Sequence, residues 1–170
     1  MPRDPGSPFD PFPLLAALRR HDVEFIVIGA VAAIAQGYPL TTRDLDVTPL
    51  REHENAERLA TALRELDAKL RTATELVDFP IEATYLEQVD SWALLTQLGE
   101  LDILFEPDGT AGYPDLRRGA VEVTLGVPVL VASLRDVIRM KEASSREKDR
   151  AQLPALRRTL EVIRRREQEA

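Results

Sequence analysis

The chain has 170 residues, enough for one domain with its own core, and its 44% hydrophobic and 30% charged residues are typical of a globular protein. The absence of cysteine excludes disulfide bonds and zinc–thiolate sites, and the formal charge of −7 argues against a surface that is basic throughout. The proline- and acid-rich start lacks the apolar segment of a signal peptide, and no apolar run approaches the roughly 20 residues of a membrane span. We therefore expect a cytoplasmic protein with no membrane contact.

The charge is unevenly distributed along the chain. Residues 135–170 contain 11 basic and 7 acidic residues, a net charge of +4, whereas the remainder carries a net charge of −11. A basic C-terminal segment on an acidic body suits a polyphosphate or an RNA end as ligand. A solvated helical face in an arginine-rich segment explains the same charges without any ligand.

In the first half of the chain, short strands alternate with helices. Residues 1–10 are expected to be a disordered lead-in, and "PFPLLAALRRHDV" has the apolar spacing of a helix. "EFIVIG" predicts a short apolar strand, "AVAAIAQG" a small-residue helix closed by its glycine, and "LDV" a second strand. Leucines at helical spacing predict an amphipathic helix in "REHENAERLATALRELDAKL".

The second half begins with more strands and ends in helices. We expect a short strand in "PIEATYLEQVD" and a hairpin in "WALLTQLGELDILFEP", whose two apolar runs flank a glycine-containing turn. "AVEVTLGVPVLVAS" is rich in strand formers, and Ser133 with Asp136 resembles a capping box that opens a helix. From about Asp149 a long helix is expected, in which Pro154 marks a boundary or kink.

This order of elements predicts an α/β (α+β-like) fold, with a mixed central sheet and flanking helices. The core is expected to span residues 11–132, and residues 133–170 are expected to form a helical C-terminal segment packed on it. No internal repeat interrupts this pattern.

Three aspartates stand out because each lies in a predicted strand. Asp44 and Asp46 project to the same side of theirs, while Leu45 and Val47 point into the core. Asp102 lies in the second strand of the predicted hairpin, between apolar neighbours, where a charge is costly unless it is paired or bound to a metal. If the two strands are neighbours, three carboxylates converge, and such hard oxygen ligands suit Mg²⁺. Two Mg²⁺ ions there would stabilise the attacking and leaving oxygens of a phosphoryl-type displacement. An Asp-x-Asp pair also arises by chance in acidic proteins, or as a cap of the next turn.

Two segments resemble a known protein family. "IVIGAVAAIAQGYPLTTRDLDV" resembles the opening of the DNA polymerase β-type nucleotidyltransferases, in which a strand ends in Gly-Gly or Gly-Ser, a helix follows and the next strand carries Asp-x-Asp. "VLVASLRDVIRMKEASSREKDRAQL" resembles the C-terminal part of the small stand-alone members, especially the AbiEii/MenT-type toxins of toxin–antitoxin pairs. The resemblance implies a nucleotidyltransferase fold and Mg²⁺-dependent transfer of a nucleotidyl group from a nucleoside triphosphate (NTP) to an acceptor hydroxyl.

The resemblance also implies roles for individual residues. Asp44 and Asp46 would be metal ligands, and Asp102 would be a third ligand or the base that takes a proton from the acceptor. Gly29, with Ala30 after it, would let the start of a helix approach the triphosphate, where amide groups favour anions.

Positive charge for the triphosphate would come from four further side chains, and Asp149 matches the acid of the family's last motif. The four cationic residues are Arg43, Lys141, Arg146 and Lys148. Lys141 and Arg146 also fit a solvated helix without any ligand, and Asp149 also fits an acid at a helix N-terminus that is favoured by the helix dipole.

Two positions bear on activity and its control. Many relatives have Gly or Ser where this chain has Ala30, so a hydroxyl that would contact phosphate is absent while the backbone amide remains. Thr41 or Thr42 would be the counterpart of a Ser or Thr that is a regulatory phosphorylation site in some relatives.

Several acceptors fit the resemblance. The 3′ end of a tRNA is the first, which would make the chain a toxin with a cognate antitoxin protein as its partner; a protein side chain or a small molecule is an alternative acceptor. A further alternative is a catalytically decayed nucleotidyltransferase fold that serves as an antitoxin or regulatory module.

Overall fold

The computed structural model describes residues 6–170, which form one mixed sheet with helices packed on it. The helices of this part of the chain are Phe12–Arg20 (α1), Gly29–Ala35 (α2), His53–Glu65 (α3), Ala83–Glu87 (α4), Tyr113–Arg117 (α5), Leu134–Ala143 (α6) and Glu147–Glu169 (α7). The strands are Phe25–Ile28 (β1), Asp44–Pro49 (β2), Lys69–Arg71 (β3), Leu76–Val77 (β4), Ser91–Thr96 (β5), Gly99–Leu104 (β6), Val121–Leu125 (β7) and Val127–Val131 (β8). None of these helices combines the length and apolarity needed to cross a lipid bilayer.

The eight strands lie in the order β4-β3-β5-β6-β2-β1-β8-β7. The central strand β2 is antiparallel to β1 and parallel to β6, and β1 is parallel to β8. The expected mixed sheet is therefore confirmed, as is the hairpin, which is formed by β5 and β6.

The core lies where the apolar patterns of the helices and strands predict it. α1 has a proline in its first turn, where the missing N–H costs no hydrogen bond, and it buries Leu14, Leu15 and Leu18. All four residues of β1 are buried. This strand is thus enclosed on both faces, as its continuous apolar run indicates.

A glutamine clamp fixes α2 against the start of α6. The Gln36 amide donates hydrogen bonds to the carbonyls of Ala32 and Ala132, and its carbonyl accepts one from the Leu134 amide. The predicted helix start at Ser133 is confirmed, since its hydroxyl accepts a hydrogen bond from the Asp136 amide. These contacts fix the start of α6 against α2, which packs on β1 and β2.

The structure corrects the expected strand in "PIEATYLEQVD", where the chain instead forms the short helix α4. Leu86 is fully buried, and its carbonyl accepts a hydrogen bond from the Trp92 indole. Phe79 and Tyr85 both pack against the Trp92 ring, at centroid distances of 5.2 and 5.9 Å. Leu86 is the buried residue of α4, and a short apolar run does not distinguish a helical turn from a strand in sequence.

Smaller differences concern helix ends and the N-terminal segment. α3 ends at Glu65 rather than extending to residue 70, because the chain reverses at Asp67, which has a φ of 49°, and then enters β3. α7 continues through Pro154, which is therefore not a helix boundary. Of the expected lead-in, residues 1–5 lie outside the described residues, while Phe9 packs against the core.

Candidate active site

Three carboxylates meet where β2 runs beside β6. The parallel register places Asp46 opposite Asp102. One oxygen from each of Asp44, Asp46 and Asp102 lies within 4.8 Å of the other two. Leu45 and Val47 are fully buried on the opposite side of β2, as the alternation along the strand predicts. The two strands that carry the predicted aspartates are therefore neighbours, and the three side chains converge.

Burial and mutual repulsion both act on the carboxylate cluster. Burial, followed by the nearby charges of Asp44 and Asp102, raises the pKa of Asp46 to about 8. Burial also raises the pKa of Asp102, against the opposing effect of the Arg71 guanidinium. A divalent cation would relieve this repulsion, and three carboxylate oxygens are the hard donors that Mg²⁺ prefers. The residues therefore fit a magnesium site.

Gly29 makes room for this cluster. It is the first residue of α2 and has a φ of 65°, in the left-handed region that favours glycine. A Cβ at this position would overlap Oδ2 of Asp46. The glycine at the end of β1 thus lets the helix start lie directly against the central aspartate.

Two polar side chains orient the outer carboxylates. The Thr42 hydroxyl donates a hydrogen bond to Oδ1 of Asp44, at 3.0 Å. Arg71, on β3, donates from Nη2 to Oδ1 of Asp102 at 2.5 Å, and its Nη1 lies 3.3 Å from Oε2 of Glu100. The sequence analysis did not find Arg71. Its role becomes visible only from the strand order, which places β3 next to β5 and β5 next to β6.

A second charged cluster joins α6 to α7. Asp149 is only 1% exposed and accepts hydrogen bonds from Lys141 Nζ at 2.8 Å, Ser144 Oγ at 2.5 Å and Arg146 Nε at 2.8 Å. Burial alone would raise the pKa of Asp149, but the hydrogen bonds from Lys141 and Ser144 outweigh it and lower the pKa to about 2. Asp149 therefore anchors the lysine at the side of the cleft. Ser144 was not predicted, because a serine between two helices carries no pattern of its own.

All the sequence-predicted site residues line one open cleft, with a volume of about 890 Å³. Arg43 and Lys148 are exposed on its rim, whereas Lys141 is largely buried. The complete set is Gly29, Ala30, Arg43, Asp44, Asp46, Asp102, Lys141, Arg146, Lys148 and Asp149. The cleft thus combines a carboxylate cluster on the sheet with cationic side chains from α6, α7 and the loop before β2.

A second cavity of about 1400 Å³ adjoins this cleft and has a more apolar lining. Phe9 and Phe12 form one side of it, and Val31 and Ile34 of α2 form another. The residues that line both cavities are Thr41, Thr42, Arg43 and Glu100. The two cavities therefore meet at the loop before β2 and at Glu100.

No known family model and no curated protein matches the chain, so likeness to other proteins rests on solved structures. The lincosamide antibiotic adenylyltransferase LnuA, solved with lincomycin bound, is 14% identical to this chain and superposes with a TM-score of 0.56. The superposed part covers 86% of this chain and 93% of LnuA. An antigenic nucleotidyltransferase-like protein from Paracoccidioides brasiliensis is 16% identical, with coverage of 92% and 79% and a TM-score of 0.55. The antibiotic-resistance factor ANT(2'')-Ia is 15% identical, with coverage of 92% and 88% and a TM-score of 0.53. At these identities the likeness is one of fold, and the fold of this chain is the nucleotidyltransferase fold.

Proposed function

We propose that this chain is a nucleotidyltransferase that moves a nucleoside monophosphate (NMP) from an NTP to an acceptor hydroxyl in a Mg²⁺-dependent reaction. The observation that carries the proposal is the convergence of Asp44, Asp46 and Asp102 within 4.8 Å on neighbouring strands. Three like charges placed together are costly unless a cation binds them. The nucleotidyltransferase fold of the chain supports the same reading.

In the proposed reaction the acceptor oxygen attacks the α-phosphorus of the NTP. A bond forms between these two atoms, the bond from the α-phosphorus to the bridging oxygen breaks, and pyrophosphate leaves with the electron pair. Asp102 accepts the proton of the attacking hydroxyl. Two Mg²⁺ ions held by Asp44, Asp46 and Asp102 would stabilise the attacking and leaving oxygens.

The NTP lies along the cationic side of the cleft in this proposal. Lys141 is held by Asp149, so its ammonium group is already in place for the triphosphate. Arg146 and Lys148 are exposed beside it, and Arg43 lies on the rim; all three can neutralise phosphate charge. The amide of Ala30 at the start of α2 can donate to a phosphate oxygen.

For the acceptor, the resemblance to the AbiEii/MenT-type toxins favours the 3′ end of a tRNA. The exposed arginines of α7 support this proposal, since most of the helix beyond Leu156 faces solvent and residues 164–166 are all arginine. Such an enzyme would act in the cytoplasm as the toxin of a toxin–antitoxin pair, and a cognate antitoxin protein would be its partner.

A small molecule with an apolar body is a second candidate acceptor. The adjoining cavity of about 1400 Å³ favours it, because Phe12, Val31 and Ile34 give that cavity an apolar lining next to the carboxylates. LnuA, which has the same fold, is an adenylyltransferase solved with lincomycin bound.

The test is transfer of label from each of the four [α-³²P]NTPs to total tRNA, with Mg²⁺ and with excess EDTA. Asp46→Asn removes the ionisable group at the centre of the cluster with little change in shape, and Asp78→Asn is a matched control on an exposed carboxylate of another ion pair. We expect label on tRNA with at least one NTP, no label with EDTA or Asp46→Asn, and unchanged labelling with Asp78→Asn.

Two other results would change the proposal. Label that appears only in a small-molecule extract, and is lost in Asp46→Asn, would keep the transferase and replace tRNA by the second candidate. No label on any acceptor, together with no Mg²⁺-dependent binding of any NTP, would overturn the enzyme and favour a decayed module.

A further inference from the structure

Arg71 makes three polar contacts across the sheet. Its Nε donates to the carbonyl of Leu94 on β5 at 3.2 Å, which anchors the guanidinium above the middle of that strand. From there Nη2 reaches Oδ1 of Asp102 at 2.5 Å, and Nη1 lies 3.3 Å from Oε2 of Glu100. The planar guanidinium is always charged and can donate to several acceptors in fixed directions. A lysine ammonium does not reproduce this geometry.

These contacts place a positive charge directly on the carboxylate cluster. Arg71 acts on Asp102, whereas Lys141, whose charge acts on Asp46, is hydrogen-bonded to Asp149 instead of to the cluster. The hydrogen bond from Nη2 to Oδ1 of Asp102 also fixes the direction in which this carboxylate faces. The guanidinium thus affects both the charge of the cluster and the direction of one of its members.

We propose that Arg71 is a positioning residue of the reaction: it orients Asp102 for proton transfer and acts as the resident counter-ion with which the divalent cation competes. The role of Arg71 in orienting Asp102 rests on the proposed function. Its role as counter-ion concerns the carboxylate cluster alone. The two effects have opposite signs. Arg71 lowers the affinity of the cluster for the cation, and it raises kcat of the cation-bound enzyme.

The test compares Arg71→Gln, Arg71→Lys and the control Lys69→Gln. Lys69 lies two residues away on the same strand, is more exposed, and pairs with Asp78 outside the cleft. Mn²⁺ binding is measured by calorimetry on the nucleotide-free full-length protein, and NMP transfer is measured separately as kcat and KM for the NTP.

For Arg71→Gln we expect Mn²⁺ to bind about tenfold more tightly, because a positive charge beside a ligand is gone. We expect kcat for transfer to fall by about 10–100-fold with KM for the NTP within about twofold of wild type, because Asp102 has lost its orientation. Arg71→Lys keeps the charge and loses the guanidinium geometry, so its Mn²⁺ affinity should stay near wild type while kcat still falls. Lys69→Gln should match wild type in both measurements.

A merely structural arginine would give a different result, since damage to the sheet weakens metal binding and transfer together. Unchanged or weaker Mn²⁺ binding in Arg71→Gln would therefore overturn the proposal, and so would an unchanged kcat. A wild-type protein that binds Mn²⁺ but transfers no NMP would count against the proposed function, while the Mn²⁺ comparison would still decide whether Arg71 is the counter-ion. No Mn²⁺ binding by wild type or variant would overturn both.

Discussion

The Asp46 carboxylate occupies the space into which a side chain at residue 29 would project. Gly29 has a φ of 65°, and a Cβ there would overlap Oδ2 of Asp46. Two reasons therefore favour glycine at this position: its left-handed backbone conformation and the lack of space beside the Asp46 carboxylate. This couples the end of β1 and the start of α2 directly to the carboxylate cluster.

The variant Gly29→Ala should accordingly lose both stability and metal binding. We expect a loss of about 1–2 kcal/mol in the free energy of unfolding from the left-handed backbone. Because the methyl group displaces Asp46, Mn²⁺ affinity should also fall by about 10–100-fold. Urea unfolding and Mn²⁺ calorimetry measure the two effects.

Gly37→Ala is the matched control for this variant. Gly37 has a φ of 102°, so alanine is strained there too, but a Cβ at that position meets no atom within 4 Å. It should lose stability while keeping wild-type Mn²⁺ affinity. If both variants bound Mn²⁺ equally well, the contact between Gly29 and Asp46 would not matter for the metal site.

The stability of the metal-free protein should fall as pH rises toward 8. Folding raises the pKa of Asp46 from 3.8 to about 8, so the folded protein holds a proton that the unfolded chain has released between these pH values. The stabilising contribution is full below pH about 4 and is lost as pH rises through about 8. Asp46→Asn removes this titration, so its free energy of unfolding in EDTA should decline less between pH 5 and pH 8 than that of wild type. Parallel curves for the two proteins would contradict a proton on Asp46.

Mg²⁺ binding should show the opposite dependence on pH. Binding to a protonated cluster must release the proton of Asp46, so the apparent affinity should rise between pH 6 and pH 8 and level off above about pH 8. The increase in melting temperature at a fixed Mg²⁺ concentration, measured at each pH, reports this effect. An affinity that is constant over the range would mean that Asp46 is already ionised in the metal-free protein.

The contact between Asp149 and Lys141 should be important for stability as well as for the site. Asp149→Ala leaves the largely buried Lys141 without its partner and should cost about 3 kcal/mol in the free energy of unfolding. Glu142→Ala is the control, because Glu142 also joins α6 to α7 through an ion pair with Arg157 at 2.8 Å. Both side chains of that pair are about half exposed. That variant should cost less than about 1 kcal/mol. Equal losses in urea unfolding would show that burial does not distinguish the two ion pairs.

Much of the carboxylate site could be predicted because strand alternation fixes which side each residue faces. Asp44 and Asp46 had to share one side of β2 if Leu45 and Val47 were buried, and the structure has this arrangement. The position of Asp102 in a hairpin strand followed from two apolar runs around a glycine turn. What the sequence left open was whether β6 lies beside β2, since strand order depends on long-range pairing.

The features that were missed depend on such long-range contacts. Arg71 lies 31 residues before Asp102, and only the order of β3, β5 and β6 brings the two together. Ser144 reaches Asp149 because α6 ends at Ala143 and α7 begins at Glu147, a short connection that no local pattern marks. The segment that forms α4 was expected to be a strand. Its contact with Trp92, which lies in β5, is not visible in the local sequence.

The central claim, that the carboxylate cluster holds divalent cations beside an NTP, is tested most directly by crystallography. Crystals grown with Mn²⁺ and a non-hydrolysable α,β-methylene analogue of each NTP in turn would give an anomalous difference map of the cleft. The account predicts at least one strong peak bonded to oxygens of Asp44 and Asp46, with a triphosphate between it and Lys141. Clear density for the cleft with no peak at the aspartates, for every analogue and at saturating Mn²⁺, would contradict the account.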